Sequence, residues 1–487
     1  MAEVDADERL ATGISGLDEI LDGGFIGGRS YMLRGEPGAG KTILGFHFLT
    51  SGVDAGETAL FVNLEEDVDD LRANAASLGF DVDAVDYLDL SPTAEVFAED
   101  QSYGVFEAAE VEQEPFTERI VDRVEEIDPD RVVVDPVTQL RHLTSGEYQF
   151  RKQVIGFMRY LKSKGATVLF TAQESDRHPT DDLQFISDGT ILLQMDEEVR
   201  RVRVPKFRGS ATRSGEHTFR ITDEGIVVYP ELRPGQSTTS FESESISSDV
   251  PEVDALLNGG LERGTVSILT GPTGVGKTTL GTQFMNAAAS RGERSVIYLF
   301  EETEMTFVER SEAIGIPVRR MMDEGSLRVE EVEALDKSPQ EFAQQVKREV
   351  EVEGASIVMV DGISGYELTL QGERSATNKH LHALGNYLKH EGVTGIIVDE
   401  TPGITGEFAA TSDNISYLAD NIVFLRHLEL RGEMEKTIGV LKKRTSDFER
   451  TLRRFQITSH GIEVGEPLTN LQGVLTGTPE FVDDRPE

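Results

Sequence analysis

Two eight-residue strings in this chain end a glycine-spaced turn on a lysine and a threonine. The first is Gly35, Glu36, Pro37, Gly38, Ala39, Gly40, Lys41 and Thr42; the second is Gly271, Pro272, Thr273, Gly274, Val275, Gly276, Lys277 and Thr278, with Thr279 following. Glycines at the first, fourth and sixth places let the backbone curl so that successive N–H groups point inward, a concavity that receives an anion. In the spacing GxxxxGK[ST] that anion is a phosphate chain, with the lysine reaching the β- and γ-phosphates and the hydroxyl reaching Mg2+. β-prone runs, Ser30 to Arg34 and Val266 to Thr270, precede the two strings. Apolar-periodic helical segments, Ile43 to Leu49 and Leu280 to Ala288, follow them. Each loop therefore opens a helix whose positive dipole end adds to the anion site. Chance can supply one such turn; it does not supply two in register.

The register extends well beyond the loops. Lys41 and Lys277 lie 236 positions apart, and the same interval separates Asp18 from Asp254, Glu65-Glu66 from Glu301-Glu302, Lys206 from Lys442 and Arg208 from Arg444. The chain is a tandem duplication. The domains are expected at residues 1–235 and 245–487, with the shared landmarks running from about Ala11 to Arg233 and from Ser245 to Leu475. Residues 236–244 lie in RPGQSTTSFESES, whose composition is that of an exposed linker. The closing FVDDRPE reads as a short acidic, frayed tail.

What must position the loops is an α/β core in each half. Short unbroken apolar runs (TALFVNL, RVVVDP and TVLFTA; SVIYLF, SIVMVD and TGIIVD) alternate with helical segments, the pattern of a mostly parallel central sheet covered by helices on both faces. Asp135 and Asp361 end two of these runs, where a carboxylate can hold Mg2+ beside Thr42 and Thr278. Glu65, Glu66, Glu301 and Glu302 follow other runs, at the carboxyl edge of the sheet where ligands bind. One of each pair could orient or deprotonate the water that attacks a γ-phosphate, although acidic residues also favour helix starts. RRVRVPKFRGS and TIGVLKKRTS alternate with period two, as a final antiparallel hairpin would. Their Lys206, Arg208, Lys442 and Arg444 suit a reach into the nucleotide site of an adjacent domain; a solvated strand face with Arg201 and Arg203 is the plainer alternative.

Asp and Glu outnumber Lys and Arg 88 to 47, and Arg outnumbers Lys 34 to 13. A net charge of -41 spread along the chain suits a high-salt, halophilic cytoplasm, in which screening is short-ranged. Such a surface disfavours nonspecific nucleic-acid binding. With no cysteine there are no disulfides and no thiolate metal sites. No run has the length of a membrane span and the start, MAEVDADERL, lacks signal-peptide features, so a cytoplasmic location is expected. His380, His382 and His390 share one helix without metal-ligand spacing. The acidic stretch from Ser91 to Pro115 reads as a solvated insertion that lengthens the first domain.

Taken together, TGISGLDEILDGGF, both phosphate loops, both Glu-Glu pairs, RVVVDPVT, KFRGS and the closing LTGTPE resemble a double-domain member of the KaiC-like branch of the RecA superfamily, of a haloarchaeal type. The resemblance covers nearly the whole chain. It implies two tandem RecA-like ATPase domains and a homohexameric two-tiered ring with ATP and Mg2+ between neighbours. It also implies Glu65, Glu66, Glu301 and Glu302 as catalytic acids, and Lys206, Arg208, Lys442 and Arg444 as contacts across the subunit boundary. The sequence departs from the clock members at their adjacent Ser-Thr phosphorylation pair, where it has Ser416 and Tyr417 in the second half and Gln184 and Phe185 in the first. An ordered two-site cycle is not expected; phosphorylation at Ser416 alone remains open, as does Ser416 as an ordinary polar residue. Thr445 also stands where the first half has Gly209.

The resulting expectation is an ATP-hydrolysing regulatory ring, with Ser/Thr autokinase activity in the second domain as a further option and signalling proteins as partners. Two alternatives stay open: a recombinase-like DNA-binding ATPase, and a nucleotide-gated scaffold with negligible hydrolysis.

Overall fold

The computed structural model describes residues 8–91, 113–144, 146–173, 181–196, 199–233, 244–333, 337–369, 374–401, 415–475 and 480–481. The chain divides into two compact units, Met1–Glu231 and Leu232–Glu487. Most of the expected linker, nearly all of the acidic insertion and the last six residues lie outside the described residues.

Among the described residues, each unit is built on a nine-stranded sheet. In the first, the order across the sheet is Asp86–Asp89, Ala59–Asn63, Arg131–Asp135, Thr167–Gln173, Ser30–Gly35, Gly189–Asp196, Val199–Phe207, His217–Thr222 and Gly225–Tyr229. The first six run parallel, and the last three add antiparallel. The second unit repeats the plan: Leu327–Glu331, Arg294–Leu299, Ala355–Asp361, Thr394–Glu400, Val266–Gly271, Asn421–Leu430, Glu433–Lys443, Arg453–Thr458 and Gly461–Pro467. The expected α/β architecture with a terminal hairpin is what the chain adopts.

Both faces of each sheet are covered, which is why its strands are apolar at successive positions rather than alternate ones. In the first unit Leu33, Phe61, Val133 and Leu169 pack on one side with the helix Lys41–Asp54. Met32, Leu60, Val132, Val134 and Phe170 pack on the other with the helix Glu147–Ser163. Each such side chain, fully withdrawn from water, contributes about 1.5–3 kcal/mol before chain entropy is charged against it. The second unit splits in the same way, with Leu269, Ile297 and Met359 on one face and Ile268, Val296 and Val358 on the other. The consequence for function is alignment: all six parallel strands of a unit end at the same edge.

Asp18 and Asp254, two of the repeat landmarks, serve the fold. Each carboxylate accepts from the backbone N–H six residues earlier, Thr12 and Ser248, both at 2.8 Å, and so pins the turn before a short helix.

Candidate functional site

Each glycine-spaced loop joins the central strand of its sheet to a helix that begins at the lysine itself, Lys41–Asp54 or Lys277–Ser290. The residues before these lysines, Gly40 and Gly276, adopt φ of 97° and 114°. This left-handed region is costly for any residue with a Cβ. A Cβ on Gly276 would also lie 2.6 Å from the Ile457 side chain. Gly38 and Gly274, at the loop tips, also have positive φ and open space around them. The loop lysines fold back on their own loops. Lys41 Nζ donates to the carbonyls of Gly35 (3.0 Å) and Glu36 (2.8 Å), and Lys277 Nζ to those of Gly271 (2.8 Å) and Pro272 (2.9 Å). Burial lowers the pKa of both, and carboxylates oppose the shift: Asp135 and Glu65 around Lys41, Glu400, Asp361 and Glu301 around Lys277. These bonds join a charged donor to a neutral acceptor, whereas a phosphate oxygen would bring charge to both sides, so a phosphate chain would compete for lysines already held at the loop.

Beside each loop a hydroxyl meets a strand-end carboxylate. Thr42 Oγ1 donates to Asp135 Oδ2 at 2.6 Å, and Thr171 donates to the other oxygen of the same carboxylate. Thr278 Oγ1 donates to Asp361 Oδ1 at 3.1 Å. Burial raises the pKa of both aspartates, Asp361 to about 7. One hydroxyl and one carboxylate form an all-oxygen donor set, few in number, which fits Mg2+: that ion keeps several waters and phosphate oxygens and seldom occupies a protein cage. Among the described residues no group of three or more His, Asp or Glu is arranged to hold a metal, and His380, His382 and His390 form none.

The acid pairs follow the strands Ala59–Asn63 and Arg294–Leu299 at the same edge as the loops. Asn63 Nδ2 anchors the first pair by donating to the Glu66 carbonyl (2.6 Å) and to Asp89 (3.0 Å). Gln173 Nε2 donates to Glu65 Oε2 at 2.7 Å. In the second unit Arg310 pairs with Glu302 at 2.6 Å. Burial raises the pKa of Glu66, Glu301 and Glu302; neighbouring carboxylates reinforce it, and Arg310 opposes it at Glu302.

Lys206, Arg208, Lys442 and Arg444 lie elsewhere. Lys206 pairs across the sheet with Thr190, which pairs with Met32, while Arg208 N–H donates to Asp188, whose own N–H donates to Ser30. The second unit matches: Lys442 aligns with Ile422 and Ile268, and Arg444 with Asp420 and Val266. These cations therefore stand at the amino edge of the parallel strands. Their own phosphate loop begins at the other end of Ser30–Gly35 or Val266–Gly271, five residues or about 17 Å from the level of Arg208 and Arg444, and three residues or about 10 Å from that of Lys206 and Lys442. Ser416 sits on this amino edge too, partly exposed in the short turn Ile415–Tyr417, where Lys442 Nζ donates to its carbonyl at 2.7 Å. Lys206 meets the carbonyls of Gln184 and Ser187 in the same manner.

A pair of residues absent from the sequence-based set approaches the loops directly. Arg200 donates to the Gly38 carbonyl at 2.8 Å and Lys436 to the Gly274 carbonyl at 2.9 Å. The 236-residue interval could have found them: it carries a cation at this place in both halves, whereas Arg201 and Arg203 map onto Thr437 and Gly439.

A family model described as "ATPase: KaiC" matches residues 10–233 and again 246–469. The chain belongs to the KaiC family. It is a KaiC-like, ATP-binding protein of two RecA-like domains. Curated KaiC relatives align over nearly the full length. The circadian clock oscillator protein KaiC of Acaryochloris marina is 28% identical over 491 residues, 97% of this chain and 92% of the relative. The circadian clock protein KaiC3 of Synechocystis sp. is 28% identical over 507 residues, covering 98% and 96%. KaiC of Thermosynechococcus vestitus is 28% identical over 491 residues, covering 99% and 94%. Among the described residues no helix is long and apolar enough to cross a membrane.

Proposed function

We propose that this KaiC-family chain hydrolyses ATP at both loops within a homohexameric, two-tiered ring, and that nucleotide occupancy switches the ring's affinity for signalling partners in a halophilic cytoplasm. One observation supports the ring: Lys206, Arg208, Lys442 and Arg444 stand at the sheet edge opposite their own phosphate loops, the placement that contact with a nucleotide held by another domain requires. An arginine donated in this way stabilises charge on the transferring phosphoryl group and is worth about 10³- to 10⁵-fold in rate.

In each site the loop N–H groups and Lys41 or Lys277 bind the β- and γ-phosphates, the lysine leaving its loop carbonyls to do so. Thr42 with Asp135, and Thr278 with Asp361, would hold Mg2+, which supplies charge neutralisation on the phosphates. Glu65 or Glu301 accepts the proton of the water whose oxygen attacks the γ-phosphorus; the bond to the bridging oxygen breaks and ADP leaves. The first member of each acid pair takes this role because its charge is the one that reaches the loop lysine.

Autokinase activity at Ser416 is supported by its position on the edge that also carries Lys442 and Arg444. There its hydroxyl would lie near a neighbour's γ-phosphate and could take the place of water as nucleophile.

Glu65→Gln/Glu66→Gln, compared with Lys41→Ala, tests enzyme against scaffold. On the Lys277→Ala background the acid variant should bind a fluorescent ATP analogue as the parent does, yet release phosphate about 10²-fold more slowly or worse. An acid variant with full phosphate release would contradict the assignment. Light scattering in high salt should give hexamers with Mg-ATP; monomers alone would contradict the ring.

A further inference from the structure

The two acid pairs are held by different partners. Gln173 is the last residue of the strand Thr167–Gln173 and lies in register with Gly35, the first residue of its phosphate loop. Its side-chain amide donates to Glu65 at 2.7 Å, a bond to a charged acceptor and therefore among the stronger kinds. Glu400 ends the strand Thr394–Glu400 and lies in register with Gly271, the same place in the second sheet. A carboxylate has no hydrogen to give to another carboxylate. The charges of Glu400 and of the buried Asp399 instead oppose that of Glu301. The second pair is gripped by Arg310 at Glu302 and by the Gly365 backbone N–H at Glu301, and Asn74 stands 236 positions before that arginine.

We propose that Gln173 is a positioning residue that fixes the Glu65 carboxylate for its role as base in the first site, and that Glu400 denies Glu301 a matching side-chain hold in the second. The two sites then turn over at different rates although their loops, lysines and magnesium ligands match. This rests on the hydrolytic reading above. The amide acts through Glu65, so its loss lowers the rate of the chemical step and leaves nucleotide affinity alone.

The swap is the test, in the full-length chain with Mg-ATP in high salt. On a Lys277→Ala background, where only the first site binds, Gln173→Glu should lower kcat about tenfold, with KM and the Kd of a fluorescent ATP analogue within about twofold of the parent. On a Lys41→Ala background Glu400→Gln should raise kcat severalfold, again at constant Kd. Active parents with both swaps inside twofold in kcat would overturn the positioning role alone. Loss of nucleotide affinity and of thermal stability together in Gln173→Glu, with no gain in Glu400→Gln, would mark a structural role and overturn it too. Parents that release no more phosphate than Lys41→Ala/Lys277→Ala would bring down the hydrolytic reading and the inference together.

Discussion

Arg200 reaches the carbonyl oxygen of Gly38 at 2.8 Å, from the same strand that carries Lys206 at its other end. Its counterpart Lys436 reaches Gly274 at 2.9 Å from the strand that ends on Lys442 and Lys443. In each unit one strand thus touches its own phosphate loop at one edge of the sheet and offers cations away from it at the other.

Removing Arg200 should loosen the first loop tip and remove a cation from beside the phosphates. Arg200→Ala on the Lys277→Ala background is expected to weaken binding of a fluorescent ATP analogue about 5- to 10-fold, with Arg200→Lys close to the parent, as Lys436 is in the second unit. An unchanged Kd would show that the contact is incidental.

The cations at the amino edge predict complementation between defective subunits. With the second site silenced by Lys277→Ala throughout, one chain carries Lys41→Ala and the other Lys206→Ala/Arg208→Ala. Each alone should fall at least about 10²-fold in phosphate release. Mixed rings pair an intact loop with an intact neighbour at about one interface in four, so the mixture should recover up to roughly a quarter of the parent rate. A mixture no more active than its components would contradict a shared site.

His47 gives the first unit an acid sensitivity of its own. Its Nε2 accepts the Ile226 N–H at 2.8 Å, its ring packs edge-on against Phe80, and burial pulls its pKa down to about 4. The unfolded chain, with an ordinary histidine near 6.5, takes up the proton first, so stability from this residue is complete above about pH 6.5 and drains as pH falls toward 4. Gln283 occupies the matching place in the second half. His47→Gln should flatten the loss between pH 7 and 4.5 by about 2 kcal/mol, a figure reduced for partial solvent screening. Chemical denaturation at the two pH values checks this; equal slopes in parent and variant would contradict it.

The second unit buries a lysine that the repeat does not share. Lys443 is fully enclosed, paired with Glu262 at 2.8 Å and donating to the carbonyls of Leu257 and Gly260. Lys443→Met should destabilise by about 3–5 kcal/mol, because it strands a buried carboxylate. Lys443→Phe/Glu262→Ile, the pair that Phe207 and Ile26 present at these places in the first half, should recover most of that loss in a denaturant melt. A single variant as stable as the parent would sink the prediction.

The sequence carried the architecture because its signals are local and duplicated. Apolar runs mark strands buried on both faces, glycines mark the loops, and a constant interval ties Lys41 to Lys277 and Lys206 to Lys442. It did not reveal what depends on register between distant strands. Arg200 looked like one of several basic residues on a strand, and only the pairing of Val199–Phe207 with Gly189–Asp196 brings it to Gly38. Gln173 and Glu400 closed ordinary apolar runs, and their difference mattered only once each lay beside a phosphate loop. In KKRTS two adjacent lysines read alike, yet strand alternation turns Lys442 to the edge and Lys443 into the core.

The most direct test of the account is phosphate release from γ-labelled ATP with Mg2+ in high salt by the parent chain, Lys41→Ala, Lys277→Ala and the double variant, with protein-bound label followed alongside in Ser416→Ala. Two hydrolytic sites predict release by the parent, partial release by each single variant and none by the double. Release that survives the double variant, or a parent that binds ATP and releases nothing, would contradict it.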